Sequence, residues 1–188
     1  LRLSYDEARA RYGTDKPDLR FGLHLVDCTQ VLASSDVRIF QVPIERGGLV
    51  KGFRVPGAGA TPEPELETLQ TLSQELGARG VIWLRVRDEQ VEAPVARHLE
   101  AEKQRALIDA FQAEEGDLLL LVAGPREVAN RALDGLRREM AGRLGLIDPD
   151  VLAFAWIVDF PLFKWDDEAR QWDAEHHPFT SPKPEDLT

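Results

Sequence analysis

Hydrophobic residues recur with helical spacing in three parts of the chain. Residues 61–77 carry leucines three and four positions apart and end at a glycine, which predicts an amphipathic helix. Residues 125–144 have a similar pattern over a longer stretch and predict a second helix. Helical spacing also covers residues 95–112, with a break predicted near residues 99–101.

Shorter apolar runs between these helices predict strands. Residues 37–42 alternate in character, a turn-forming Arg-Gly-Gly follows, and residues 49–55 have the composition of a partner strand, so we expect a hairpin here. The run over residues 118–122 is apolar throughout, which is typical of a buried strand. Further strands are predicted over residues 81–86, 152–163 and 171–177.

The N-terminal region combines a helix start with a polar loop. Ser4 and Glu7 have the spacing of a capping box, and Gly13 is placed to end the helix that they begin. The loop over residues 14–21 then brings together two carboxylates and two cations: Asp15, Lys16, Asp18 and Arg20. By residue type alone this is a solvated loop with local ion pairs, and a role in a functional site stays open.

The middle of the chain differs from its two ends. Residues 25–150 form a self-contained set of strands and helices, whereas residues 1–24 and 151–188 have the character of edges of another sheet-containing body. The termini of an inserted domain lie close together, so we expect the middle to be an insertion into a second domain. The expected fold class is α+β, with helices packed on one side of the sheet of the insertion.

Composition narrows the class of protein. With 188 residues, 43% hydrophobic and 30% charged, the chain is globular in composition and lacks the apolar run of about 20 residues that a membrane span needs. No signal peptide is predicted, and the single cysteine, Cys28, forms no internal disulfide, so a cytoplasmic protein without membrane contact is expected. Because Met140 is the only methionine and the chain starts at Leu1, we also expect it to be a piece of a longer polypeptide.

The formal net charge of −10 has one functional consequence. No segment is a basic block, so nucleic-acid binding through a broad basic surface is not indicated. A local basic patch within the acidic whole stays possible.

The sharpest chemical motif is HHPFT at residues 176–180. Neighbouring side chains on a strand point to opposite faces, so only one of His176 and His177 faces a given pocket. A protonated imidazole pairs with a carboxylate or a phosphate. The alternative is a pair of surface histidines at a strand end. Cys28 and the other histidines show no metal-ligand spacing, and no phosphate-loop or nucleophile signature occurs.

Several segments together resemble bacterial-type aspartyl-tRNA synthetases, in the stretch between their second and third class II motifs. The first three are SYDEARARYGTDKPDLRFG at 4–22, VDFPLFKWD at 158–166 and HHPFTSPKPED at 176–186. RIFQ…LVKGFRVPG at 38–57 and ELGARGVIWLRV…VARHL at 75–99 resemble the insertion domain of those enzymes, which archaeal tRNA-dependent amidotransferases also contain. The resemblance covers essentially the whole chain.

The resemblance implies a fold and an activity. The flanking pieces would belong to an antiparallel class II catalytic sheet. The parent would be a homodimeric ligase that uses ATP and Mg²⁺ to form aspartyl-adenylate and then charges tRNA. His176 would contact L-aspartate, and His177 and Thr180 would be neighbours in the site. No catalytic residue or metal ligand is expected in this chain, and the main ATP-binding residues would lie outside it, so the chain alone would be inactive.

Two other functions stay open. The chain could act as a non-catalytic insertion or accessory module that contacts tRNA or tunes the parent enzyme. It could instead be a small acidic enzyme that uses His176 and Asp15 and has no relation to the family.

Overall fold

The computed structural model describes residues 1–166, 169–175 and 185 of the chain. The helices in this part are α1 (Tyr5–Tyr12), α2 (Thr29–Leu32), α3 (Arg38–Glu45), α4 (Glu63–Glu75), α5 (Ala101–Phe111) and α6 (Arg126–Arg143). The strands are β1 (Arg2–Ser4), β2 (Leu25–Asp27), β3 (Leu49–Val55), β4 (Ile82–Arg87), β5 (Gln90–Glu92), β6 (Leu118–Gly124), β7 (Trp156–Val158), β8 (Phe163–Asp166) and β9 (Gln171–Ala174). None of the helices in these ranges is long and apolar enough to cross a membrane.

The main sheet has five antiparallel strands in the order β2-β3-β6-β4-β5. Strand β6 is central: it pairs with β3 from Leu49↔Gly124 to Val55↔Leu118, and β4 pairs along its other side. The two edge strands, β2 and β5, have three residues each, which limits the unpaired backbone that the sheet presents. The antiparallel sheet with packed helices confirms the α+β class.

Helices cover both faces of this sheet. On β6, Leu118, Leu120 and Val122 pack with residues of α4 and α6. The alternate residues Leu119 and Leu121 pack with residues of α2, α3 and α5 on the other face. The expectation of helices on one side only is therefore wrong, because a strand without a polar face must be buried on both sides.

Several predicted elements are confirmed and two are corrected. The helices predicted over residues 61–77, 95–112 and 125–144 correspond to α4, α5 and α6, with a short 3-10 turn at Ala96–His98 before the predicted break. The strand predicted over residues 37–42 is wrong, because this region forms α3.

The apolar pattern of residues 37–44 fits both the alternation of a strand and the spacing of a helix. Val37, Phe40 and Ile44 lie three and four positions apart and pack together against one face of the sheet. Ile39, the residue that completes the apparent strand alternation, is exposed. Helical packing therefore satisfies the core better than an alternating strand does.

One of the two predicted C-terminal strands is interrupted. The strand predicted over residues 152–163 is interrupted, because Asp159 has a φ of 61° and leaves the extended conformation between β7 and β8. The strand predicted over residues 171–177 is described only as β9, since residues 176 and 177 lie outside the described ranges.

The N-terminal strand forms a small parallel pairing with a strand of the C-terminal region. Strand β1 pairs with β7 in the register Arg2↔Trp156 to Ser4↔Val158. Strands β8 and β9 form a separate antiparallel hairpin, in which the rings of Trp165 and Trp172 lie 5.6 Å apart. The division into residues 1–24, 25–150 and 151–188 stays a prediction.

Helix α1 has the predicted signals at both ends. The hydroxyl of Ser4 accepts a hydrogen bond from the Glu7 amide at 3.1 Å, and the Glu7 carboxylate accepts one from the Ser4 amide at 2.8 Å. Gly13 ends the helix at φ 80°, and its amide donates to the carbonyl of Arg9 at 3.1 Å. Gly13 also lies directly against α6: a Cβ at this position would collide with the backbone oxygen of Asn130.

Replacement of Gly13 by alanine is expected to lower the free energy of unfolding by roughly 2–4 kcal/mol. The left-handed backbone disfavours any L side chain, and the added methyl group has no space beside α6. Urea unfolding of the chain measures the effect. Gly22→Ala is the matched control, because its Cβ would meet nothing within 4 Å, and a cost below about 1 kcal/mol is expected. Equal losses for the two variants would contradict the packing argument.

Candidate functional site

The residues predicted to form the substrate site, His176, His177 and Thr180, lie outside the described residues. The structure does describe the strand that leads to them and the polar loop over residues 14–21. It also describes the helices against which that loop packs. These surroundings define what the chain contributes next to the predicted site.

Glu175, the residue just before the HHPFT motif, is fixed at the end of the β8–β9 hairpin. Its amide donates a hydrogen bond to the carbonyl of Leu162 at 3.0 Å. Its carboxylate lies 3.1 Å from the ammonium group of Lys164, and this contact raises the pKa of Lys164. The chain therefore enters the motif from an anchored position.

Tyr5 packs on the segment that leads into this hairpin. Its ring packs on Phe160 with 5.3 Å between ring centroids. Burial raises the pKa of the Tyr5 phenol, the charges of Glu175 and Asp15 raise it further, and Arg9 acts in the opposite direction. A residue of the polar loop and the residue just before the HHPFT motif thus act electrostatically on the same phenol.

The polar loop contains the local ion pair expected from its composition. The guanidinium group of Arg20 donates to both carboxylate oxygens of Asp18, at 3.0 and 2.7 Å. These hydrogen bonds lower the pKa of Asp18. The pair stiffens the loop between Pro17 and Phe21.

Arg137 of α6 holds the end of this loop and was missed by the sequence analysis. Its side chain is fully buried and donates hydrogen bonds to the carbonyls of Leu23 at 2.8 Å and Gly22 at 3.0 Å. The guanidinium carbon lies 5.0 Å from the ring centroid of Tyr12 and 4.6 Å from that of Phe21. Burial lowers the pKa of Arg137. Its place four residues after Leu133, on the apolar stripe of α6, is the signal that could have identified it.

Lys51 of β3 is a second buried cation that connects the N-terminal region to the main sheet. Its ammonium group donates to Asn130 Oδ1 at 2.9 Å and to the carbonyl of Arg9 at 3.1 Å. Burial lowers the pKa of Lys51 to about 8. The guanidinium group of Arg9 in turn contacts the carboxylate of Glu127. A polar residue within the apolar run LVKGFRV is the only sign of this role in the sequence.

The described residues offer neither a metal site nor a reactive thiol. No group of three His, Cys, Asp or Glu side chains in the described ranges could hold a metal ion. Cys28 is buried, its thiol donates to the carbonyl of Val50 at 3.4 Å, and burial raises its pKa to about 12, so it stays protonated near neutral pH.

Residues 40–133, half of the chain, match the family described as GAD domain. The chain belongs to the GAD domain family. Curated relatives extend the similarity beyond the matched residues. The chain is 41% identical over 186 residues to the aspartate–tRNA(Asp/Asn) ligase of Thermoanaerobacter sp. (strain X514), which covers 99% of the chain. It is 42% identical over 187 residues to the aspartate–tRNA ligase of Bacillus licheniformis, again over 99% of the chain.

These alignments confirm the resemblance to aspartyl-tRNA synthetases and show its extent. The chain spans about a third of the length of the relatives it matches, 31% of the first and 32% of the second. The GAD domain match begins inside α3, continues through β6 and ends in the first part of α6. The alignments with the ligases also include the polar loop, Arg137 and the C-terminal hairpin, which lie outside that match.

Proposed function

We propose that this GAD domain chain is part of an ATP-dependent aspartate–tRNA ligase. That enzyme forms aspartyl-adenylate and then transfers the aspartyl group to the 3′ end of tRNA. L-aspartate, ATP with Mg²⁺, and tRNA are its substrates, and it is a cytoplasmic homodimer. The chain alone is inactive, because the resemblance places the main ATP-binding residues elsewhere in the ligase.

One observation carries this proposal. Identity of 37–42% to aspartate–tRNA ligases extends over 99–100% of the chain, although the GAD domain match covers only residues 40–133. An independent module would not need the polar loop or the segment around HHPFT at its two ends. The alignments include both, which favours a chain that works inside a ligase.

The contribution of the chain to substrate binding follows from charge. Aspartate and asparagine have nearly the same shape, so discrimination between them requires a group that distinguishes a carboxylate from an amide. We propose that a protonated His176 supplies this group, with His177 and Thr180 as neighbours. The hairpin anchored by Glu175 and Lys164 positions the entry to that segment.

The second candidate function is that of an accessory module. The buried cations favour the role in which this module tunes the parent enzyme. Arg137 and Lys51 both belong to the main body of the chain, and both donate to carbonyls of the N-terminal segment. A shift of β3 and α6 relative to the N-terminal segment would therefore act on α1 and on Gly22 and Leu23, which directly follow the polar loop. This function is compatible with a place inside a ligase.

Aspartate-dependent exchange between pyrophosphate and ATP tests the first proposal. A longer polypeptide that contains this chain within a complete ligase is expected to catalyse the exchange, whereas the purified chain is expected to give none. Charge stabilisation at the transferred phosphorus comes mainly from cationic groups and the metal, and the resemblance places those groups outside the chain. Exchange by the purified chain, or its absence from the longer polypeptide, would contradict the proposal.

A further inference from the structure

An arginine-lined groove lies on the main domain where α3, the segment after α4 and the start of α6 meet. It consists of two adjoining cavities of about 360 and 490 Å³. Both are lined by Val42, Pro43, Arg46, Arg79 and Ala123. Arg126 lines the first cavity and Arg38 lines the second. We call the surface formed by these four arginines and the two cavities the arginine groove.

The cationic groups of the arginine groove have no anionic partner within the described ranges. Neither cavity is lined by a described aspartate or glutamate, and no ion pair in those ranges involves Arg38, Arg46, Arg79 or Arg126. Glu127, the residue next to Arg126, contacts Arg9 instead. Four exposed guanidinium groups without an ion-pair partner in those ranges thus lie together on a chain of net charge −10.

The charges are spread out rather than focused on one point. Arg38 begins α3 and Arg46 directly follows its last residue, so the helical rise separates their backbones by about 12 Å. Phosphates along one strand of a nucleic-acid duplex are spaced by about 3.4 Å of axial rise. The groove therefore spans several phosphates of a polynucleotide, which is more than a single phosphate group would occupy.

The walls of the groove leave its arginines accessible. Glycines provide much of the lining between them: Gly47, Gly48, Gly77, Gly80 and Gly124. At Gly47 and Gly124 the space that a Cβ would take is open, so a ligand can approach the protein backbone closely there, whereas at Gly48, Gly77 and Gly80 other protein atoms fill that space. Guanidinium groups bind phosphate oxygens through paired N–H donors, so the contact is directional as well as electrostatic.

We propose that the arginine groove binds the phosphate backbone of RNA. The choice of RNA among polyanions rests on the proposed function, in which tRNA is a substrate. Contacts of this kind position an RNA without reading its bases. The groove thus supplies the local basic patch that the acidic composition left open.

Binding of a fluorescein-labelled tRNA transcript to the 188-residue chain tests this proposal. Anisotropy titrations between about 50 and 200 mM salt give the dependence of affinity on salt. The double variant Arg46→Gln, Arg79→Gln is expected to bind about tenfold more weakly at the lowest salt. Its slope of log affinity against log salt should be smaller in magnitude by about 1.8, because two phosphate contacts are lost.

The matched control is the double variant Arg97→Gln, Arg105→Gln, which changes the net charge equally at exposed positions that line neither cavity. Its salt slope should equal that of the unsubstituted chain. Equal slopes for the unsubstituted chain and the groove variant would overturn the proposal. So would displacement of the transcript by poly-L-glutamate or inorganic phosphate as effective as displacement by unlabelled RNA of equal charge.

The experiment is separable from the test of the ligase. Pyrophosphate exchange reports on adenylate formation and needs no RNA. Absence of exchange contradicts the ligase proposal, whereas an unchanged salt slope contradicts the arginine groove alone.

Discussion

Replacement of His176 by alanine, in a full-length ligase that contains this chain, is expected to weaken L-aspartate binding about tenfold to a hundredfold. Loss of one charge-assisted contact to a carboxylate costs about 1.5–3 kcal/mol. The preference for aspartate over asparagine should fall by a similar factor, since the neutral amide gains nothing from a protonated imidazole. ATP binding should change much less. Calorimetric titration with each ligand measures these affinities.

His177→Ala is the matched control for this prediction. It removes the same side chain one position along, and in the strand predicted over residues 171–177 alternation would place it on the opposite face. A smaller effect on aspartate affinity is therefore expected. If the His176→Ala enzyme keeps its aspartate affinity and its preference for aspartate over asparagine, His176 does not contribute to the binding site.

Replacement of Lys51 by methionine is expected to abolish a rise in stability between about pH 8 and pH 10.5. Burial lowers the pKa of Lys51 from 10.5 to about 8 in the folded chain. Across this interval the unfolded chain therefore binds more protons at Lys51 than the folded chain does, and the free energy of unfolding increases with pH. The contribution of Lys51 to this increase is at most about 3 kcal/mol. Below pH 8 both states are protonated, and the cost of burying the charge is fully present.

Urea unfolding at a series of pH values measures this effect as the difference between the unsubstituted chain and Lys51→Met. The charged groups that act on Lys51 are Asp27, Arg126, Arg9 and Glu127. Lys103→Met is the control, because Lys103 lies on α5 and its ammonium group bonds the hydroxyl of Ser34. The same pH dependence in both variants would contradict a specific role of the buried ammonium group.

Local signals in the sequence predicted the parts of the fold that depend on neighbouring residues. The capping box of Ser4 and Glu7 and the end of α1 at Gly13 are decided within a few positions of the chain. The continuous apolar run of β6 likewise predicted a buried strand. The sequence analysis expected helices on only one face of the sheet. The continuous apolar run of β6 already indicated that both faces of this strand are covered.

Features that depend on distant residues were not predictable in this way. The choice between strand and helix for α3 depends on which of two apolar sets meets the sheet. The roles of Arg137 and Lys51 depend on carbonyls of residues 23 and 9, which lie 114 and 42 positions away along the chain. The arginine groove is assembled from α3, the start of α6 and the segment after α4, so no single stretch of sequence is basic. The prediction for His176 depends on the family resemblance.

The central position of β6 has a consequence for how the chain folds during synthesis. Strands β2 and β3 pair with each other, and so do β4 and β5, but only β6 joins the two pairs into one sheet. Its partner β3 ends more than 60 positions earlier in the chain. Until the ribosome has released Gly124, each pair exposes apolar surface that has no permanent cover. Assembly of the sheet is therefore a late and non-local event, and the emerging chain is most prone to aggregation just before it.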